Sequence, residues 1–289
     1  MKAAGKRYIT YSSKSDVISI WNIADIHRNN AACALKKCRS DIKAIADDPY
    51  SFWVGGGDYA DYIGYRDRKR FDPNTIAPDI KVNDLGRLGI VSAEKVKELF
   101  EPIKKKTLGL LYGNHEDSYQ RNTEQQNLHG WLCAELGGAH LDLGYCVLLD
   151  VVFIHKPGSG KPKLYWIDPK GGATRTQFRF FIHHGAGGAS TPAGKINRLI
   201  KFMDFFIADI YMIAHVHGHD GKRLTRVGGD SRCKTIKAID KLGVITGTYL
   251  RTYTQNITGY GEKRGYEPTK LGAVCVDITP YHRSVTAAI

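Results

Sequence analysis

The sequence predicts an α/β protein built in layers. Two observations carry this reading: five apolar runs of strand length each end in a cluster of polar residues, and helix-periodic segments lie between several of them. In order, Val17–Ile23 leads to Asp25 and His27, and Ser51–Val54 leads to Gly55, Gly56, Gly57 and Asp58. Leu108–Tyr112 leads to Gly113, Asn114 and His115, Phe178–Ile182 to His183 and His184, and Ile210–Ala214 to His215 and His217. In layered α/β proteins, helices cover the sheet faces and leave the carboxyl ends of the strands open, so these clusters are expected to line one crevice.

Between the first two runs, Ala31, Leu35, Cys38, Ile42 and Ile45 recur at helical spacing, with Asn29 or Asn30 as cap and Pro49 beyond. Further helices are expected over Glu94–Lys105 and Lys195–Phe206. Tyr145–His155 and Lys161–Asp168 flank Pro157-Gly158-Ser159-Gly160 and read as a β-hairpin with a longer loop. The last third reads as mostly β, with Gly243–Thr252 and Leu271–Thr279 as its clearest segments. Residues 62–93 break the pattern with a charged stretch carrying Gly and Pro. They are expected to form an insertion or lid within a single domain spanning 1–289.

Composition narrows the function. The 289 residues hold 42 Lys and Arg against 29 Asp and Glu, a net charge of +13, and 42% of residues are hydrophobic. This is the balance of an ordinary globular protein, and the positive surplus favours a polyanionic partner such as nucleic acid. The longest apolar stretches, such as Val147–Ile154, fall well short of the ~18–20 residues that cross a bilayer, so no membrane span is expected. Residues 1–17 carry early positive charge without an apolar run, and six cysteines are scattered without C-x-x-C spacing. Together these point away from export, disulfide frameworks and zinc knuckles, and towards a reducing, cytoplasmic setting.

The polar clusters mix carboxylates with imidazoles, a donor set that suits Mn, Fe, Zn or Co rather than Mg or Ca. Asp25 and His27 stand two apart after a strand, as do His215 and His217, so each pair can face one cavity. Asp58 follows three glycines that permit close backbone approach, and a carboxylate there can bridge two cations. Taken singly, each motif has an ordinary explanation as a turn or a cap. Their occurrence in series, each after an apolar run, is what points to a metal centre.

The chain reads ADIH, GGGDYAD, GNHED, IHHG and AHVH in that order. It thereby resembles the calcineurin-like metallophosphoesterases, whose signature is D-x-H, G-D, G-N-H-[ED], an isolated His and G-H-x-H, over roughly Val17 to His217. The resemblance implies an α-β-β-α sandwich of two sheets flanked by helices. It also implies two divalent metals, Mn foremost with Fe, Zn, Ni or Co as alternatives, held by Asp25, His27, Asp58, Asn114, His215, His217 and one of His183 and His184. Alignment on His-His-Pro selects His183, alignment on His-Gly selects His184, and the former is preferred. Gly57-Asp58-Tyr59-Ala60-Asp61 is similar to the G-D-Y-x-D of serine/threonine protein phosphatases, which implies that Asp61 hydrogen-bonds His115 and that His115 is a general acid. Tyr62-Ile63 and Arg28 depart from that subgroup's pattern and weaken a protein-phosphatase assignment; Ala214 replaces a usual Gly.

The implied activity is hydrolysis of a phosphoester by a metal-activated hydroxide, with the charge favouring a phosphodiesterase or nuclease. A monoesterase of small or protein phosphates and a catalytically silent scaffold of the same fold are the alternatives. Arg66, Arg68 and Arg70 are candidate clamps for substrate phosphate, with a solvated charge run as the competing reading.

Overall fold

In a computed structural model of the chain, residues 1–65, 67–68, 70–122, 127–158, 160–172, 174–189, 191–229 and 233–288 are described. The regular elements are, in order, β1 (Lys2–Tyr11), β2 (Ile18–Ile23), α1 (Leu35–Asp47), β3 (Ser51–Gly55), α2 (Leu88–Phe100), β4 (Thr107–Leu111), α3 (Asn114–Asn122), α4 (Leu128–Leu136), β5 (Asp142–Gly144), β6 (Cys146–His155) and β7 (Lys163–Tyr165). They continue as β8 (Thr174–His183), α5 (Pro192–Phe205), β9 (Ile210–Ile213), β10 (Asp220–Gly229), β11 (Ile236–Ile245), the short α6 (Tyr260–Lys263), β12 (Val274–Thr279) and β13 (Ser284–Ala288).

The strands form two mixed sheets. One has the order β10-β11-β9-β8-β6-β1-β7 and the other β13-β12-β2-β3-β4-β5. Period-two alternation of side chains explains why they stack. Phe52 and Val54 point into a core shared by both sheets, while Trp53 between them points outward to α1, α2 and α4. Ile210 and Met212 enter the same shared core, while Tyr211 and Ile213 pack outward against Leu199 and Met203 of α5. The result is the expected α-β-β-α sandwich. Trp53, fully buried, donates from Nε1 to the Ile103 carbonyl at 2.9 Å. Its loss to Ala would cost about 3–5 kcal/mol through cavity formation.

All five apolar runs form strands, but four expectations need correction. The segment after β6 does not fold back on it as a hairpin: β7 pairs with β1, and β1 lies between β6 and β7, parallel to β6. The first crossover helix starts at Leu35 after Ala34, with no side-chain cap, because the asparagines upstream serve the site instead. The helix expected at Glu94 begins six residues earlier, at Leu88, and gives way to a 3-10 turn over Glu101–Lys106 where Pro102 removes a donor. The helix expected over Lys195–Phe206 begins at Pro192, where Thr191 accepts from the Gly194 N–H as N-cap.

Residues 62–93 pack back towards β2 rather than standing clear. Asp79 accepts both Nη atoms of Arg28 and the Lys95 ammonium, and the Ala77 N–H donates to the Asn29 carbonyl. At the opposite edge, β10 and β11 pair along ten residues each, whereas β11 meets β9 only over Leu242–Ile245. The outer part of this hairpin therefore extends beyond the sheet. Among the described residues, no helix is long and apolar enough to cross a membrane.

Candidate metal centre

The polar clusters converge because β2, β3 and β4 of one sheet and β8 and β9 of the other end at the same rim. Asp25, His27, Asp58, His215 and His217 all adopt left-handed backbone conformations, with φ between 47° and 68°. For residues other than glycine this costs of order 1–3 kcal/mol each and persists only where surrounding contacts over-determine it. Those contacts are present. The Asp25 carbonyl accepts from the Tyr249 N–H and the Thr248 hydroxyl, the Asp58 carbonyl accepts from the Ile26 and His27 N–H groups, and the His217 carbonyl accepts from the Lys195 ammonium. Close approach is needed as well: a Cβ on Gly113 would lie 2.1 Å from Asp58 Oδ1, and one on Gly57 2.6 Å from the Gly113 nitrogen.

Three groups of donor atoms result among the described residues, one of which, His27, Asp61 and His115, shares His27 with the first described below. Asp25, His27 and His217 present donor atoms within 4.8 Å of one another, as do Asp58, His184 and His215. In the first group, His27 donates from Nδ1 to Asp61 Oδ1 at 2.5 Å, which leaves Nε2 as the outward donor atom. Both His27 Nε2 and Asp25 Oδ1 are buried without a hydrogen-bond partner. Buried polar atoms are rarely left so, and a cation between them satisfies both. In the second group, His184 donates from Nδ1 to the Gly56 carbonyl at 2.7 Å, and its Nε2 sits 3.3 Å from Asp58 Oδ2 and 3.1 Å from Asn114 Oδ1. Asp58 Oδ1 accepts from the His115 N–H. These residues could hold metal: the carboxylates, imidazoles and one amide oxygen suit ions of the Mn to Zn series.

The protonation pattern agrees. Burial disfavours charge on His27, yet Asp61, Asp58 and Asp25 outweigh it and lift its pKa to about 9. His184 likewise overcomes burial through Asp58 and Asp25 and reaches about 9. Burial acts against ionisation of Asp58 and Asp25, but neighbouring imidazoles, led by His184 for Asp58 and by His217 for Asp25, hold both below the usual carboxylate range. Burial and the charge on His184 push His215 down to about 4. In the metal-free chain, protons on His27 and His184 therefore balance the carboxylates.

The structure places His184, and not the preferred His183, beside Asp58 and Asn114. His184 is the member of the doublet that faces the centre. His183 is the last residue of β8, accepts the Gly185 N–H at Nδ1 and packs against Phe202 on the α5 side, because adjacent residues of a strand point to opposite faces. Burial and the neighbouring His184 lower the His183 pKa to about 4. A second correction concerns Asp61. Its carboxylate serves His27 and accepts from Asn30 Nδ2, while His115 Nδ1 bonds the Asp61 main-chain carbonyl at 2.6 Å. His115 Nε2 is thereby turned towards the centre, 4.0 Å from Asp58 Oδ2.

Of the arginine clamps, Arg70 bonds Asp67 and Ser118, Arg68 is exposed, and Arg66 lies outside the described residues. The sequence reading also missed Glu116. Its buried carboxylate accepts from the N–H groups of Asp58, Tyr59 and Gly113, tying the two loops that carry Asp58 and Asn114. An acid directly after His115, in the first turn of a helix, was the available signal. Arg28, next to His27, anchors residues 62–93 through Asp79, a role its sequence position alone does not reveal.

Fold and site together define a two-sheet α-β-β-α protein with paired carboxylate–histidine groups placed to hold metal. No protein-family model matches the chain, and no curated protein matches it. Among solved structures it is similar to Vps29 from Entamoeba histolytica complexed with Zn+2, at 9% identity over 94% of this chain and 97% of that one, with a TM-score of 0.35. It is also similar to Vacuolar Protein Sorting 29 from Cryptosporidium parvum, at 11% identity over 94% and 96%, with a TM-score of 0.38.

Proposed function

We propose that the chain is a dinuclear metal-dependent hydrolase of phosphoester bonds, acting on diesters of the nucleic-acid type. The observation that carries this reading is the pair of buried, unpartnered atoms Asp25 Oδ1 and His27 Nε2 beside a second ligand group of Asp58, His184 and His215. Asp25, His27, Asp58 and His217 would hold one cation, and Asp58, Asn114, His184 and His215 the other. Bound there, the cations supply Lewis acidity towards phosphoryl oxygens and a water of lowered pKa. His115, fixed through Nδ1 on the Asp61 carbonyl, offers Nε2 to protonate the leaving oxygen. Asp61 orients His27 and strengthens it as a donor. The surplus of positive charge supports a polyanionic substrate.

The test is turnover of a chromogenic diester and a chromogenic monoester by Mn-loaded protein. Diester hydrolysis is expected to dominate. His115→Asn is expected to lower turnover by ~10²–10⁴-fold with metal content unchanged by elemental analysis. Full turnover in that variant refutes the acid role, and no turnover in wild type on either ester refutes the hydrolase reading.

A further inference from the structure

The segment that follows Tyr249 is fastened to the Asp25–His27–His217 side of the centre at several points. At its start, the Tyr249 N–H and the Thr248 hydroxyl hold the Asp25 carbonyl. Towards its end, Glu267 Oε1 accepts from the buried Lys195 ammonium at 2.5 Å, and the same ammonium donates to the His217 carbonyl at 3.2 Å. Lys263 pairs with Asp72 at 3.3 Å, close to where the Thr75 carbonyl accepts from the Ala31 N–H, four residues beyond His27. Residues 260–267 are therefore tied to the rim on the His217 side through Lys195 and on the His27 side through Asp72.

Exposed aromatic rings gather in this segment. Among the described residues, the exposed Tyr, Phe and Trp side chains are Tyr65, Phe205, Tyr253, Tyr260 and Tyr266, so three of the five fall within fourteen residues. Tyr260 is the most open of the three at 64%. Tyr260 and Tyr266 stand edge to face with ring centroids 6.0 Å apart, and the Arg264 guanidinium lies over the Tyr260 ring at 5.3 Å. Thr252, next to Tyr253, joins the cluster: a Cβ on Gly261 would lie 3.0 Å from its methyl, and its hydroxyl donates to the Glu267 carbonyl. Rings held in water by a tied-down segment mark an interaction site. The charge around them is positive: Arg251, Lys263, Arg264 and Lys270 are exposed, whereas Glu262 and Glu267, the carboxylates of residues 250–270, are half-buried.

We propose that Tyr260 and Tyr266, with Tyr253 beside them, form a stacking platform for unpaired bases, so that the substrate is a single-stranded nucleic acid. Every base has a π-face, and cations beside the rings meet the phosphates that link the bases. Paired bases stay stacked on one another, so a duplex offers the rings far less. Arg264 serves the platform twice, steadying the Tyr260 ring by a cation–π contact and offering exposed donors to phosphate. The proposal deepens the diesterase reading and rests on it for where the strand is cut, but its test is of binding alone.

The full chain, held in chelator so that no strand is consumed, is titrated by fluorescence anisotropy into three labelled probes of equal length: oligothymidylate, an abasic strand and a duplex. Wild type is expected to bind oligothymidylate roughly 5–100-fold more tightly than the abasic strand, and Tyr260→Leu/Tyr266→Leu to lose that preference. Tyr260→Phe/Tyr266→Phe, which keeps the rings and removes only the hydroxyls, should stay within about 3-fold of wild type. So should Phe205→Leu, which removes an exposed ring at the far end of α5. Circular dichroism checks that each variant is folded. No strand binding by wild type, equal affinity for all three probes, equal losses in the Leu and Phe pairs, or full displacement of the strand by a polyproline peptide overturns the platform. Platform-dependent binding without any ester turnover by Mn-loaded wild type would instead sink the hydrolase reading and leave the platform standing.

Discussion

The two ligand groups of the centre solve the same problem differently. In the Asp25–His27–His217 group, a carboxylate stands behind the imidazole of His27 and two ligand atoms have no partner. In the Asp58–His184–His215 group, a main-chain carbonyl stands behind His184, and its ligand atoms satisfy one another through a proton. The first group pays for its readiness with buried unsatisfied atoms; the second is closed by hydrogen bonds until a cation displaces them. The first is therefore expected to bind metal more tightly, since a cation there displaces a proton from His27 but no hydrogen bond of the two ligand atoms.

The largest expected effect comes from Asp58, which the proposed function gives to both cations. Asp58→Asn removes the shared carboxylate, and elemental analysis is expected to show both ions lost together with ester turnover; retention of either ion would break the comparison. Next, His184→Ala is expected to empty the second group and leave one ion per chain. The adjacent His183→Ala should keep both ions, since that ring packs against Phe202. Loss of an ion in His183→Ala alone would reverse the assignment. Asp61→Asn weakens only the first group: its metal affinity, measured by calorimetry, is expected to drop ~10–100-fold with the second group unchanged.

The smallest effect is on stability. His27 and His184 have folded pKa values of about 9, above the ordinary imidazole value of 6.5. A raised pKa stabilises the fold fully below about pH 6.5, and that contribution is lost as pH rises through 9. The metal-free chain is expected to melt on the order of 5 °C lower at pH 9 than at pH 6.5. The Mn-loaded chain, whose ligand imidazoles carry no such proton, should lack this fall. Parallel melting curves for the two forms would show that the protons do not balance the carboxylates.

Much of this centre was legible along the chain. Asp25, His27, Asp58, Asn114, His115, His215 and His217 each follow a strongly apolar strand, so local pattern was enough to bring them to one rim. Less legible was β1. Its sequence mixes Lys2, Lys6 and Arg7 with few apolar residues, yet it lies inside a sheet between β6 and β7, where buried Arg7 reaches the Leu108 carbonyl and lies over the Trp166 ring. The hairpin of β10 and β11 was equally hidden: β10 is mostly polar and glycine, and its pairing with β11 shows only in the register. The false hairpin at Tyr145–Asp168 arose because proximity in sequence suggested a partner that β1, far upstream, displaced.

Donor chemistry and its order along the chain are local properties, set by side-chain type and by the strand that precedes each cluster, and they could be read directly. The choice between His183 and His184, the partner of the Asp61 carboxylate and the anchoring by Glu116 could not. Neighbouring residues on a strand face opposite ways, and only the stacking of two sheets decides which face meets the centre. The same stacking brings residues such as Asp61 and His27, 34 apart in sequence, within hydrogen-bond reach.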